Sequence, residues 1–318
     1  MSRAKILSAG IIVADHVCNP ISHLPAAGEL VKTDHMLLTM GGCAANVAVD
    51  LVKMGEHATV NGRVGGDIFG RVIAEMLKEN GVDVSGIRIS ESAETSQTLI
   101  VNVQGEDRRF IHSFGANGEF RAADLPTNEL SQYRILYLGG YLVMPSLEQI
   151  ELAEVFAKAR QAGVKTVLDV VVPGPGDHLS QLDKLLPFVD VFLPNNQEGE
   201  LLCGEKEPWK QAEQFHKMGA GTVVITMGND GAVLHGKEVK LKSGVFNVPY
   251  VDGSGGGDAF DAGYMYGMLH DMSPEECLTI ASALGASCVR AIGTTPGVFT
   301  RTECEEFLRT HSLKIERI

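Results

Sequence analysis

Short apolar runs alternate with longer amphipathic ones along most of this chain, a rhythm that restricts it to strands joined by helices. KILSAGII reads as a strand, and NVAVDLVKMG after it as a helix closed by Gly55. ATVNGRVG is the next strand, followed by helical IFGRVIAEMLKENG with Gly81 as its stop. Leu152, Val155, Phe156 and Ala159 mark one helical face before Gly163, and VKTVLDVVV then runs as a strand. YRILYLGG, FVDVFLP and TVVITMG are further buried strands. Crossovers of this length favour an α/β fold with a mostly parallel sheet and helices on both faces. Residues 97–114 break the rhythm, because QTLIVNVQGEDRRFIHSF alternates around QGED as a hairpin does. Together with the extended segment near residues 16–40, they predict a small β-sheet lid beside the main sheet. With no repeat or long linker, residues 1–318 read as one domain plus this excursion.

Charge narrows the partners. A formal net charge of -13, from 27 Lys and Arg against 40 Asp and Glu, argues against nucleic acid or an anionic membrane and for a small molecule. No apolar run reaches the ~18 residues of a membrane span. ILSAGIIVA, after Arg3 and Lys5, ends in Asp15 and His16 and reads as a buried strand rather than a signal peptide. Cys18, Cys43, Cys203, Cys277, Cys288 and Cys304 form no Cys-x-x-Cys pair, which fits a reducing cytoplasm and neither a zinc site nor a disulfide framework.

The chemistry concentrates in YVDGSGGGDAFDAGYMYGML, residues 250–269. Gly253, Ser254, Gly255, Gly256 and Gly257 leave backbone N–H groups free to approach an anion, and the helix that follows adds its own first-turn N–H groups. That helix is apolar nearly all round, so it should be buried and its N-terminus firmly held. Asp258 at the joint would repel the anion its neighbours attract. It suits a general base beside a transferring phosphoryl group, although an aspartate at a helix start also complements the helix dipole.

A second segment, MGGCAANVAVDLVKMGEHATVNGRVGGD, places Gly41, Gly42 and Asn46 ahead of a helix. Together with DGSGGGDAFDAG it resembles the two signature motifs of the ribokinase-like (PfkB) carbohydrate kinase family, in the right order and over the whole chain. The resemblance implies roles for other segments. In AGIIVAD, which looks like the family's first strand, Asp15 would bond sugar hydroxyls, with Gly41, Gly42 and Asn46 closing over the same sugar. PNNQEGELL resembles the family's Asn-x-x-Glu motif and would put Asn195 and Glu198 near the phosphates and a water-coordinated Mg2+. ITMGNDGAV would put Thr226 and Gly228 beside ATP, and SFGAN marks where the lid strand returns to the core. Each residue also has a plain reading: Asn46 as a helix cap, Glu198 as a solvated helix residue, Thr226 as a strand residue.

One position departs from the family pattern. Gly253 stands where Thr or Ser is usual after Asp252, which leaves a K+ site at Asp252 open but its geometry in doubt. The expected activity is transfer of the γ-phosphoryl group of ATP to a small sugar, with Asp258 as base, Gly255, Gly256 and Gly257 as anion hole, and a lid that excludes water. A nucleoside kinase of the same fold and a noncatalytic sugar-binding protein are the alternatives. DVVVPGP lacks the Asp-x-Asn-x-Arg pattern of relatives acting on 2-keto-3-deoxygluconate and fructose, and AGIIVAD is unlike the phosphosugar kinases. A dehydrogenase would need Gly-x-Gly-x-x-Gly after the first strand, which AGIIVADHV does not supply. Leu99, Val101 and Val103 form an alternating apolar face near the charged turn of Glu106, Asp107, Arg108 and Arg109, and that face would cover bound sugar or a second subunit's lid in a homodimer.

Overall fold

A computed structural model describes residues 5–106 and 109–318. The chain runs through β1 (Lys5–Gly10), β2 (Val13–Cys18), β3 (Met36–Gly41), α1 (Cys43–Lys53), β4 (His57–Gly65), α2 (Ile68–Glu79), β5 (Asp83–Ser90), β6 (Gln97–Val101) and β7 (Arg109–Ser113). It continues through β8 (Ile135–Tyr141), α3 (Gln149–Gln161), β9 (Lys165–Val170), β10 (Val191–Phe192), α4 (Asn196–Cys203), α5 (Pro208–Lys217) and β11 (Thr222–Thr226). The last third holds β12 (Ala232–His235), β13 (Lys240–Ser243), α6 (Gly256–Leu269), α7 (Pro274–Cys288), α8 (Arg301–Thr310) and β14 (Ile315–Arg317).

Among the described residues, ten strands form the main sheet in the order β14-β13-β12-β11-β10-β9-β8-β1-β4-β5. From β5 to β11 every neighbouring pair is parallel, and β12, β13 and β14 extend it antiparallel. Every residue of β8 is buried, which requires cover on both faces of the sheet centre. One layer is continuous, with α1 on α6, α6 on α7 and α7 on α8; α3 packs on β9, and α5 on β11 and β12. The expected α/β architecture is therefore present. Among the described residues, no helix is long and apolar enough to cross a membrane.

A second sheet, β3-β2-β6-β7, is the lid anticipated from residues 16–40 and 97–114. Its strands pair antiparallel except for β2 beside β6, which is parallel. The reading of KILSAGII as one strand needs correction. At Gly10 the backbone takes φ +130 and a Cβ would overlap the Gly139 carbonyl oxygen, so only glycine fits where the chain leaves the main sheet. Asp15 therefore sits within a lid strand, not at the end of β1. Asn117, in the returning SFGAN segment, fixes the exit by accepting from the Ile12 N–H at 3.1 Å and donating to the Ile12 carbonyl at 3.0 Å. Asp107 and Arg108 of the charged turn lie outside the described residues; Glu106 and Arg109 form an ion pair.

Candidate active site

A cavity of about 760 Å³ lies between the lid and the C-terminal ends of the parallel strands, where open α/β sheets place their ligands. Asp15, Gly42, Asn46, Asn195, Glu198, Thr226, Gly255, Gly256, Gly257 and Asp258 all line it. Gly41, Gly228 and Asp252 do not line it. Gly41 has an indirect part, since a Cβ there would overlap the Asp15 carboxylate. Gly228 is an exposed residue at φ +53, in the turn after β11.

Asp258 stands in the first turn of α6, whose N-terminus no side chain caps. Gly255 precedes it at φ +75, packed so closely on the Thr294 backbone that a Cβ would collide, whereas a Cβ on Gly257 would meet nothing within 4 Å. One edge of the loop is thus locked and the other open to the cavity, the form of an anion cradle. Asn46, in the first turn of α1, donates from Nδ2 to Asp258 Oδ2 at 2.7 Å and accepts the Thr294 hydroxyl on Oδ1 at 2.8 Å. It orients Asp258 rather than capping a helix. Burial lifts the Asp258 carboxyl above its ordinary value, with the Asn46 amide and Cys43 thiol working against the rise.

The lid faces Asp258 with ordered rows fixed by strand register. Thr39, Asp15, Thr98 and His112 stand side by side across β3, β2, β6 and β7 and form one polar row; the next row on that face is Leu37, Val17, Ile100 and Phe110. Burial pushes the Asp15 carboxyl up to about 7, Thr98 opposes the rise and the Asp258 charge adds to it. Thr98 Oγ1 and His112 Nδ1 lie 3.0 Å apart. The expectation that Leu99, Val101 and Val103 cover the cavity is therefore corrected. Thr98 and Ile100 line it, Leu99 pairs with Ile111 on the opposite face, and Val103 packs with Cys18 and Ile21 in a small cluster of its own.

At the far wall, Asn195 caps α4 by accepting the N–H groups of Gln197 and Glu198, both at 2.9 Å. Glu198 returns a bond by accepting the Asn195 N–H at 2.8 Å, a reciprocal capping box. Burial pushes its carboxyl up to about 8 despite that bond. Asn195 also bridges to Thr226 at the end of β11. Asp252 anchors the glycine loop from behind: its carboxylate accepts the Ser254 N–H at 3.0 Å, the Ser254 hydroxyl at 2.9 Å and the Gly293 N–H at 3.0 Å. The hydroxyl absent at Gly253 is thus supplied to Asp252 one residue later.

Sequence reasoning missed Asp169, Asp261, Cys43, Tyr137 and Thr294. Asp169 is the penultimate residue of β9 and Asp261 lies one helical turn beyond Asp258; both line the cavity. The Tyr137 hydroxyl lies 3.2 Å from Asp261 Oδ2 and 3.5 Å from Asp169 Oδ2. Burial, then neighbouring carboxylates, hold Asp169 and Asp261 well above the usual carboxylate range. One ligand atom each from Cys43, Asp169 and Asp258 falls within 4.8 Å of the others. The available signal was a lone charge inside each apolar run, VLDVVV and AFDAG.

Comparison with known proteins agrees with this geometry. Ribokinase of Haemophilus influenzae is 29% identical over 313 residues, 96% of this chain and 99% of that protein. The 2-dehydro-3-deoxygluconokinase of Bacillus subtilis is 30% identical over 279 residues, 85% of this chain and 86% of that protein. The structure of Arabidopsis thaliana ribokinase complexed with ribose and ATP superposes with a TM-score of 0.83 at 25% identity, covering 98% of this chain and 100% of that one. The model of the pfkB family carbohydrate kinases matches residues 3–301, so the chain belongs to that family.

Proposed function

We propose that this protein transfers the γ-phosphoryl group of ATP to a hydroxyl of a small sugar, free or within a nucleoside. The observation that carries the reading is one carboxylate, Asp258, held by Asn46 at an uncapped, glycine-edged helix N-terminus and facing the polar row of the lid across one cavity. In this reading the acceptor lies along Asp15, Gly42 and Asn46, with Gly41 making room for Asp15, and the nucleotide lies toward Asn195, Thr226 and Gly228. The acceptor hydroxyl loses its proton to Asp258 as its oxygen bonds to the γ-phosphorus. The β,γ-bridging oxygen leaves with its electron pair as ADP. The N–H groups of Gly255, Gly256 and Gly257 stabilise the charge on the phosphoryl oxygens.

Asp169, Glu198 and Asp258 crowd the same cavity, and among the described residues no Lys or Arg lines it. That donor set fits a hard divalent cation. Glu198, through a retained water, and Asp169 would hold Mg2+, which neutralises phosphate charge when bound. Asp252 is the residue a monovalent cation would use, and rates in potassium and in choline salts test it. A homodimer through the lid would use the face of Leu99 and Ile111, and mass in solution at micromolar concentration tests that.

The decisive experiment incubates the protein with ATP, Mg2+ and a pooled library of sugars and nucleosides, with mass-spectrometric detection of a phosphate-sized gain. A gain on one acceptor class, abolished without ATP, is expected. No gain on any acceptor would leave a sugar-binding protein as the reading.

A further inference from the structure

We infer that Thr294 is a positioning residue for phosphoryl transfer, its hydroxyl fixing which edge the Asn46 amide turns toward Asp258. The inference rests on the kinase reading above and adds a residue to it. It follows from a count of protons. Asn46 Nδ2 lies 2.7 Å from Asp258 Oδ2, Asn46 Oδ1 lies 2.8 Å from Thr294 Oγ1, and Thr294 Oγ1 lies 3.2 Å from the Met40 carbonyl oxygen near the end of β3. An ionised carboxylate has nothing to donate, so only the N–H edge of the amide can face Asp258. The amide oxygen then faces Thr294, and the single hydroxyl proton of Thr294 belongs on that contact rather than on Met40. The two edges of an amide are equal in size, so shape alone does not choose between them. The hydroxyl does, and its hold persists after Asp258 has taken the acceptor's proton.

Thr294 is itself held from several sides. The Gly293 N–H donates to Asp252 at 3.0 Å, and the Cys288 thiol, at the end of α7, donates to the Thr294 carbonyl at 3.1 Å. Lys53, two turns beyond Asn46 on α1, donates to the Thr295 carbonyl at 2.5 Å and to the Val298 carbonyl at 3.2 Å. The segment is thus tied to α1, to α7 and to the aspartate behind the glycine loop. A Cβ on Gly255 would lie 2.3 Å from the Thr294 carbonyl oxygen, so the residue that orients the amide also packs the locked edge of the anion cradle. Base and cradle share one support. Thr294 and Asn46 are both buried, yet both line the cavity. Without the hydroxyl, the Asn46 oxygen would be left unpaired inside the protein or would turn toward the open cavity to find water, and Asp258 would lose its donor.

The test measures kcat and KM for Thr294→Val and Thr294→Ser with ATP, Mg2+ and the acceptor that the pooled library identifies. Thr294→Val keeps the branched shape and removes the hydroxyl. It should lower kcat roughly 5- to 150-fold, the worth of one buried polar group left unpaired, with the KM for ATP unchanged. Thr294→Ser keeps the hydroxyl and should recover most of that loss. Combined with Asn46→Ala, Thr294→Val should add nothing further, because it acts only through that amide. An unchanged kcat in Thr294→Val would overturn the assignment and leave the kinase reading standing. So would a serine variant as slow as the valine one, or a full further loss on top of Asn46→Ala, since either would place the effect in packing against Gly255. A wild type that transfers phosphate to no acceptor would overturn both.

Discussion

The main sheet and the lid are built from the same kind of strand and are asked to do different things. In β8 all seven residues are buried, and no position is free to meet a ligand. In β7 all five are exposed, and alternate ones point into the cavity. The main sheet secures position: it fixes where Asp169, Thr226 and the start of α6 stand. The lid gives the cavity its most varied wall, with Asp15, Thr98, Ile100, Phe110 and His112 all lining it. Two sheets thus share one cavity, with Asp258 beside the buried main sheet and Asp15 within the lid.

The division is tested first at its rigid pole. Asp258→Asn should keep the fold and ATP affinity while lowering kcat by roughly two to four orders of magnitude, measured at saturating acceptor. A loss of only a few-fold would mean that Asp258 merely complements the helix dipole. The next effect separates the sheets by stability. Phe156 is fully buried on α3 against the main sheet, so Phe156→Ala should cost about 3–5 kcal/mol in urea melts. Ile111→Ala, on the outer face of the lid where the side chain is 66% exposed, should stay within about 0.5 kcal/mol.

Asp15 carries the lid's share. Asp15→Ala should lower kcat/KM for the acceptor by about 2–4 kcal/mol, leaving a polar row with an unpaired member, and leave the KM for ATP unchanged. Equal loss for both substrates would make the residue structural. Its titration gives a fourth, smaller effect. In the folded protein Asp15 holds its proton up to about 7, whereas its ordinary value is 3.8. Between those values the folded state binds a proton that the unfolded chain has released, so stability falls as pH rises through this window and levels off above it. Glu198, raised to about 8, extends the fall. Asp15→Asn should flatten the slope between pH 4 and 7. Smallest in energy but most specific in place, acceptor binding should slow amide exchange in residues 97–106 and 109–114 and leave β8 unchanged; exchange unaltered at saturating acceptor would remove the lid role.

The same contrast explains what was legible in the sequence. Main-sheet strands announce themselves because burial on both faces demands unbroken apolar runs, as in YRILYLGG and VKTVLDVVV. The helix ends at Gly55 and Gly81 could be read because both take φ near +80, where glycine is favoured. The two glycine motifs placed Asp258 and Asn46. The lid was harder. Its period of two was plain, but period alone does not say which face meets the cavity, and the more apolar set at Leu99 and Val101 pointed the wrong way. The cavity side is mixed, with Asp15, Thr98 and His112 beside Ile100 and Phe110. Asp169 and Asp261 were hidden by the apolar runs around them, since a carboxylate within a strand or helix becomes meaningful only when packing brings its partners together.

The exit of the chain from the main sheet at Gly10 has a consequence for folding order. The lid's central pair, β2 and β6, joins residues as remote as Asp15 and Thr98, and the chain between them contains α1, β4, α2 and β5. Closing so long a loop before those elements have paired would cost entropy with few contacts in return. The core strands β1, β4 and β5 should therefore associate first and bring both ends of the loop to the same edge of the cavity. The lid then forms late, over a scaffold already in place, and by the same energetics it is the first part to come undone.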